Sequence, residues 1–144
     1  ASIYYLVRWA GYQFTGYNII GTAGILLGIL AALAIALLSF FPSKKATPAL
    51  QSLFFRMLLG ISIYYFLATT VHPWYLALPL ILGIFTRFHY PLVWTLLVIL
   101  SYSAYSSLPY KENLLLVALE YILVFSLFFF ELRKRNSANI DIKP

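Results

Sequence analysis

Long uncharged apolar runs alternate with short polar turns along the chain, and the runs have the length of membrane helices. Ile20 to Phe41 gives 22 residues without a charge, closed by Pro42-Ser43-Lys44-Lys45-Ala46-Thr47-Pro48. Ser52 to Thr70 follows, with Arg56 near enough to its end to extend its head group to the boundary. Pro91–Leu108 and Asn113–Phe130 form two more runs, joined by Pro109-Tyr110-Lys111-Glu112. Between the second and third long runs sits Val71-His72-Pro73-Trp74-Tyr75, and a shorter apolar stretch then reaches Thr86. Pro73 can open that stretch as a helix, because the first turn leaves its N–H unsatisfied in any case.

Residues 1–19 have a different texture. Tyr4, Tyr5, Trp9, Tyr12, Phe14 and Tyr17 stand among Arg8, Gln13 and Asn18, too polar to span and too aromatic for a solvated loop. Ile3, Leu6, Val7 and Ala10 fall at helical spacing. The pattern predicts a helix over Ser2–Ala10 lying in the membrane interface, with Ser2 as its cap, or else a loop packed on the following helices.

Composition agrees with a membrane chain. Residues of the AVILMFWYC set make up 62% and charged residues 10%, where a soluble domain carries about 25% charged. Mean hydropathy is +0.87. The formal charge of +6 does not point to nucleic acid, because the basic residues cluster at the ends of apolar runs. Cysteine is absent, which removes disulfides and thiolate chemistry. The chain opens at Ala1-Ser2-Ile3 without Met or a basic n-region, so it reads as a piece of something longer.

Charge placement decides the topology. Pro73–Thr86 is 14 residues, about 21 Å as an α-helix against ~30 Å of hydrocarbon. If it crosses, Lys44, Lys45, Arg56, Arg87, Arg133, Lys134, Arg135 and Lys143 share one side, leaving Arg8 and Lys111 on the other. If it is re-entrant, Arg133, Lys134 and Arg135 move to the face opposite Lys44 and Lys45. The positive-inside rule selects the crossing, with local thinning of the bilayer. The expectation is an all-α integral membrane protein. An outer-face segment over 1–19 precedes a five-span bundle over 20–130 (20–41, 52–70, 73–86, 91–108, 113–130), and a cytoplasmic basic tail over 131–144 follows it. The N-terminus is outside and the C-terminus cytoplasmic.

Two places can carry chemistry. His72 falls on the outer face with Arg8, Trp9, Trp74, Tyr75, Tyr110 and Lys111, and a histidine beside Arg8 or Lys111 can hold a phosphate by charge-assisted hydrogen bonds. The alternative is that His72 caps a turn. Glu120 lies about 10 Å inside the last span, where an unpaired acid costs at least ~2.5 kcal/mol. Tyr102, Ser103, Tyr105 and Ser106 on the preceding span are hydroxyl partners for it, which favours a structural bond over proton handling. There is no paired-carboxylate motif, metal-ligand cluster, catalytic Ser/His/Asp set or Gly-rich phosphate loop. His89 lies at the opposite face from His72, too far to share a metal. Gly21, Gly24 and Gly28 with Ala31 and Ala32 form a close-packing face for another helix.

The run Thr69-Thr70-Val71-His72-Pro73-Trp74-Tyr75-Leu76, followed by Leu78-Pro79, resembles the late transmembrane region of bacterial polyprenyl-phosphate-dependent mannosyltransferases, multi-span glycosyltransferases of the GT-C type. Trp94 with Leu100-Ser101-Tyr102-Ser103-Ala104-Tyr105, and Leu119-Glu120-Tyr121 ahead of Glu131-Leu132, match in order. The opening Ala1 to Trp9 is similar to the juxtamembrane stretch before these spans. The resemblance implies transfer of a hexose, mannose above all, from a lipid-phosphate donor at the outer face of a bacterial cytoplasmic membrane. It implies His72 near the donor phosphate, membrane lipid and the polyprenyl-linked sugar as partners, and no cofactor within this chain. The family's catalytic acid lies in an early outer loop. No outer-face Asp occurs here and Glu112 does not match that motif, so no catalytic residue is assigned. A non-enzymatic membrane scaffold is the competing reading, and a small channel or transporter is weaker still.

Overall fold

The computed structural model describes residues 4–40, 49–99 and 113–137. Every regular element among them is helical: α1 (Tyr4–Thr15), α2 (Ile20–Phe40), α3 (Ala49–Leu67), α4 (Ala77–Thr86, entered through a 3-10 turn over Pro73–Leu76), α5 (Tyr90–Leu97) and α6 (Leu114–Ser137). Among the described residues α2, α3 and α6 are long and apolar enough to cross a membrane by themselves. Pro73–Thr86 is apolar but shorter.

The helices run up and down. Phe54 stacks on Phe85 and Tyr65 on Tyr75, so α3 and α4 are antiparallel. Tyr90 meets Phe128 while Trp94 meets Tyr121, so α5 and α6 are antiparallel too. α2 packs along α3, and α1 packs on both α2 and α6. His72 and Arg87, at the two ends of Pro73–Thr86, therefore sit at opposite ends of the bundle.

Local sequence explains the boundaries. Gly16 adopts a positive φ of 73°, letting α1 end and the chain turn back into α2. The Asn18 side chain accepts from Ile20 N at 3.2 Å, capping α2, and from the Tyr4 hydroxyl at 2.8 Å, tying α1 to it. Asn113 caps α6 in the same way through Leu115 N at 3.1 Å. The tight 3-10 turn gives way to α-helix at Ala77, and Pro79, with no N–H to offer, falls in the first turn of that helix, where proline is tolerated. α6 continues to Ser137, past the expected end of the last span at Phe130, because Leu132 to Arg135 are good helix formers and cations suit a helix C-terminus.

The turn between α4 and α5 is tight. Arg87 ends α4 in the left-handed region (φ 59°, ψ 32°), its N–H bonding the Gly83 carbonyl. That conformation costs a non-glycine residue roughly 1 kcal/mol. Phe88 N reaches the same carbonyl at 3.1 Å. A Cβ on Gly83 would stand 2.9 Å from the Phe88 carbonyl oxygen, so only glycine fits beneath the turn.

The core is aromatic and lies between α3, α5 and α6. Phe66 stacks on Trp94 at 4.6 Å and touches Phe125, Phe128 and Tyr121. Each such pair adds about 0.5–1.5 kcal/mol beyond its buried area. With lipid outside as apolar as the core inside, such close packing is what holds helices together. Ile25, Leu26, Ile29 and Leu33 of α2 face outward, as residues bathed in lipid tails would.

Candidate functional site

The aromatic corner at His72 is built by the 3-10 turn. His72 is the residue before Pro73, and its extended backbone (φ −86°, ψ 148°) is the conformation that a following proline enforces. The His72 carbonyl accepts from Tyr75 N at 3.0 Å, closing the turn. Its side chain makes no capping hydrogen bond. Instead the imidazole lies flat on the Trp74 indole, centroids 4.5 Å apart and planes 4° from parallel. Tyr75 stands edge-on to both rings, and Tyr65 of α3 stacks behind it at 5.9 Å. Trp74 is 62% exposed. The result is an imidazole stacked at one end of an apolar bundle, with a ring N–H able to donate to an anion.

Arg8 and Trp9 sit on α1, and the Arg8 guanidinium lies 5.0 Å from the centre of the Tyr5 ring. α1 packs on α2 and α6, so these two residues flank the bundle rather than forming part of the His72 stack. Tyr102, Tyr105, Tyr110 and Lys111 lie outside the described residues, as do Lys44 and Lys45. The structure thus brings together His72, Trp74 and Tyr75 of the residues expected at the outer face.

Glu120 is 1% exposed, held between α6 and α5. The Trp94 indole N–H donates to it at 3.2 Å. The hydroxyls expected to meet Glu120, on Tyr102, Ser103, Tyr105 and Ser106, lie outside the described residues. The Trp94 indole is a partner that no local spacing signals. Nearby, the Ser62 and Tyr90 hydroxyls share a 2.6 Å hydrogen bond in the core, joining α3 to α5.

The opposite end holds an arrangement that the sequence did not signal. Glu131 of α6 accepts from His89 N at 2.9 Å, Tyr90 N at 3.0 Å and the His89 Nδ1–H at 2.8 Å. A carboxylate from another helix thereby caps α5, where the amides of the first turn lack partners and the dipole favours negative charge. Beside it the Arg135 guanidinium lies 3.7 Å from the centre of the Phe55 ring, and Phe55 stacks on Phe88 at 5.5 Å. Among the described residues no three His, Asp or Glu side chains gather closely enough to hold a metal ion.

Comparison with known proteins finds no family model, no curated protein and no solved structure that matches the chain.

Proposed function

We propose that the chain is the membrane portion of a glycosyltransferase that moves a hexose, mannose in the first instance, from a polyprenyl-phosphate donor to an acceptor at the outer face of a bacterial cytoplasmic membrane. In this reading it crosses five times, with α4 and α5 contributing two of the crossings and α1 lying in the outer interface. Its task is to hold the donor, and the acid that drives transfer lies outside these residues. The observation that carries the reading is the face-to-face stack of His72 on Trp74 at one end of an apolar bundle. A phosphate at a membrane boundary needs an oriented donor, and its polyprenyl tail needs apolar walls. His72 supplies the first and the outward faces of the helices the second. Arg8 and Lys111 are the cations that would complete the phosphate site.

The scaffold reading draws on Glu120, whose bond to Trp94 gives the buried acid a packing role. Retention of polyprenyl phosphate by the purified chain, read by native mass spectrometry, separates the two. The enzyme reading expects His72→Ala to lose the lipid while melting like wild type, and to lower sugar transfer in membranes of the intact enzyme. Undiminished retention and transfer would return His72 to a structural role and leave the scaffold.

A further inference from the structure

At the end of the bundle opposite His72 an arginine is mounted on an aromatic base. Phe55 of α3 and Phe88 of the α4–α5 turn stack at 5.5 Å, and Arg135 of α6 lies over Phe55 and within 5.7 Å of the Phe88 centroid. The stack therefore draws three separate elements to one point. Each ring has a basic residue next to it in sequence: Arg56 follows Phe55, and Arg87 precedes Phe88. The acid described at this end, Glu131, is engaged by two backbone amides and the His89 ring. It caps α5, and among the described residues Arg56, Arg87, Arg133, Lys134 and Arg135 outnumber it at this end.

Arg87 adds an independent observation. It occupies the left-handed position that closes α4, with φ 59°, where glycine would sit without strain. Its main-chain role, an N–H to the Gly83 carbonyl, needs no side chain. The left-handed conformation costs a non-glycine residue roughly 1 kcal/mol, and here it carries a guanidinium to the surface. Arg87 is exposed and Arg56 half-buried, as residues reaching from the apolar wall to a head group would be.

We propose that this end of the bundle is a binding site for the head group of an anionic phospholipid. The Arg87 and Arg56 guanidinium groups donate to the lipid phosphate, and Arg135, fixed on the Phe55–Phe88 stack, supplies a third charge. Guanidinium suits the role because its planar fork engages phosphate oxygens in pairs. Charge complementarity selects the occupant, and the surrounding apolar helix faces select a lipid over a free anion. The site is at the other end of the molecule from His72 and does not depend on the donor reading.

The test uses the full chain in phosphatidylcholine nanodiscs with and without phosphatidylglycerol, followed by detergent release and native mass spectrometry of retained lipid. Wild type should retain phosphatidylglycerol selectively and melt higher in its presence, whereas soluble glycerol phosphate should neither compete nor stabilise. Arg87→Gly should melt at least as high as wild type in phosphatidylcholine alone, since it relieves strain. The same variant should bind phosphatidylglycerol about five-fold more weakly. Arg56→Gln provides a second variant with the same expected loss. Lys134→Gln, an equal charge removed from the exposed last turn of α6, should leave selective retention intact. Wild-type retention in Arg87→Gly and Arg56→Gln would overturn the site. Equal losses in Lys134→Gln would overturn it in favour of diffuse surface attraction, and competition by glycerol phosphate would make it a free-anion site.

Discussion

The Trp94 indole N–H donates to the Glu120 carboxylate at 3.2 Å across the α5–α6 contact, and both side chains are almost wholly withdrawn from the surface. The bond joins the two helices at a depth where neither group can turn to water. Removing one partner leaves the other buried with a polar group less well satisfied, which costs about 1–3 kcal/mol. Glu120→Ala and Trp94→Phe should each lower the unfolding midpoint of the purified protein in detergent. Glu120→Gln keeps an acceptor for the indole and should lose much less. A double-mutant cycle should then show coupling between the two positions. Strict additivity would mean that the bond contributes nothing to holding α5 on α6.

The helical class and the main apolar runs were legible in the sequence because hydrophobic length is a property of the chain itself. α2 begins at Ile20 as its apolar run does, and the 3-10 turn begins at Pro73 as the proline requires. What was not legible depends on pairs far apart in sequence. Trp94 and Glu120, or His89 and Glu131, meet only when α5 lies beside α6, and no local spacing encodes that. The stack of His72 on Trp74 is a shorter-range case. Two residues of separation do not tell whether rings stack or diverge; the 3-10 turn decides it.

Glu131 caps α5 from another helix, and this sets up a contrast. Glu131→Ala removes the acceptor for the His89 and Tyr90 amides, a loss of about 1 kcal/mol for a helix cap. His89→Ala removes one exposed ring contact and leaves both amide bonds in place. Hydrogen exchange should therefore speed up at the His89 and Tyr90 amides in Glu131→Ala and change little in His89→Ala. Equal acceleration in the two variants would show that the ring, not the amide cap, holds the turn.

Gly83 and Gly60 give a matched test of close approach. A Cβ at Gly83 meets backbone oxygen at 2.9 Å and the Pro91 ring at 3.1 Å, whereas one at Gly60 meets open space. Gly83→Ala should push α4 from the turn and destabilise by about 1–3 kcal/mol, the usual result of overpacking. Gly60→Ala should be neutral or stabilise by up to about 1 kcal/mol through helix propensity. Thermal melts of both variants in one detergent decide the matter. Similar small effects at the two positions would mean that the α4–α5 turn yields to the added methyl group.

Pro73–Thr86 is the shortest of the expected crossings. Four residues in a 3-10 turn and ten in α-helix span about 23 Å, short of the ~30 Å of bilayer hydrocarbon. Two observations bear on whether this segment crosses. His72 and Arg87 lie at its opposite ends, and α4 is antiparallel to α3, which is long enough to cross alone. An element laid alongside a crossing helix from one end of the bundle to the other carries its termini to opposite boundaries, the bilayer thinning around it. The absence of cysteine makes the test simple, because single cysteines can be placed without background. In intact cells His72→Cys should react with a membrane-impermeant maleimide, while Arg87→Cys should react only after the membrane is opened. Labelling of both from outside, or of neither until permeabilisation, would make the segment re-entrant. It would also move Arg133, Lys134 and Arg135 to the face opposite Lys44 and Lys45, and so overturn the five-span topology.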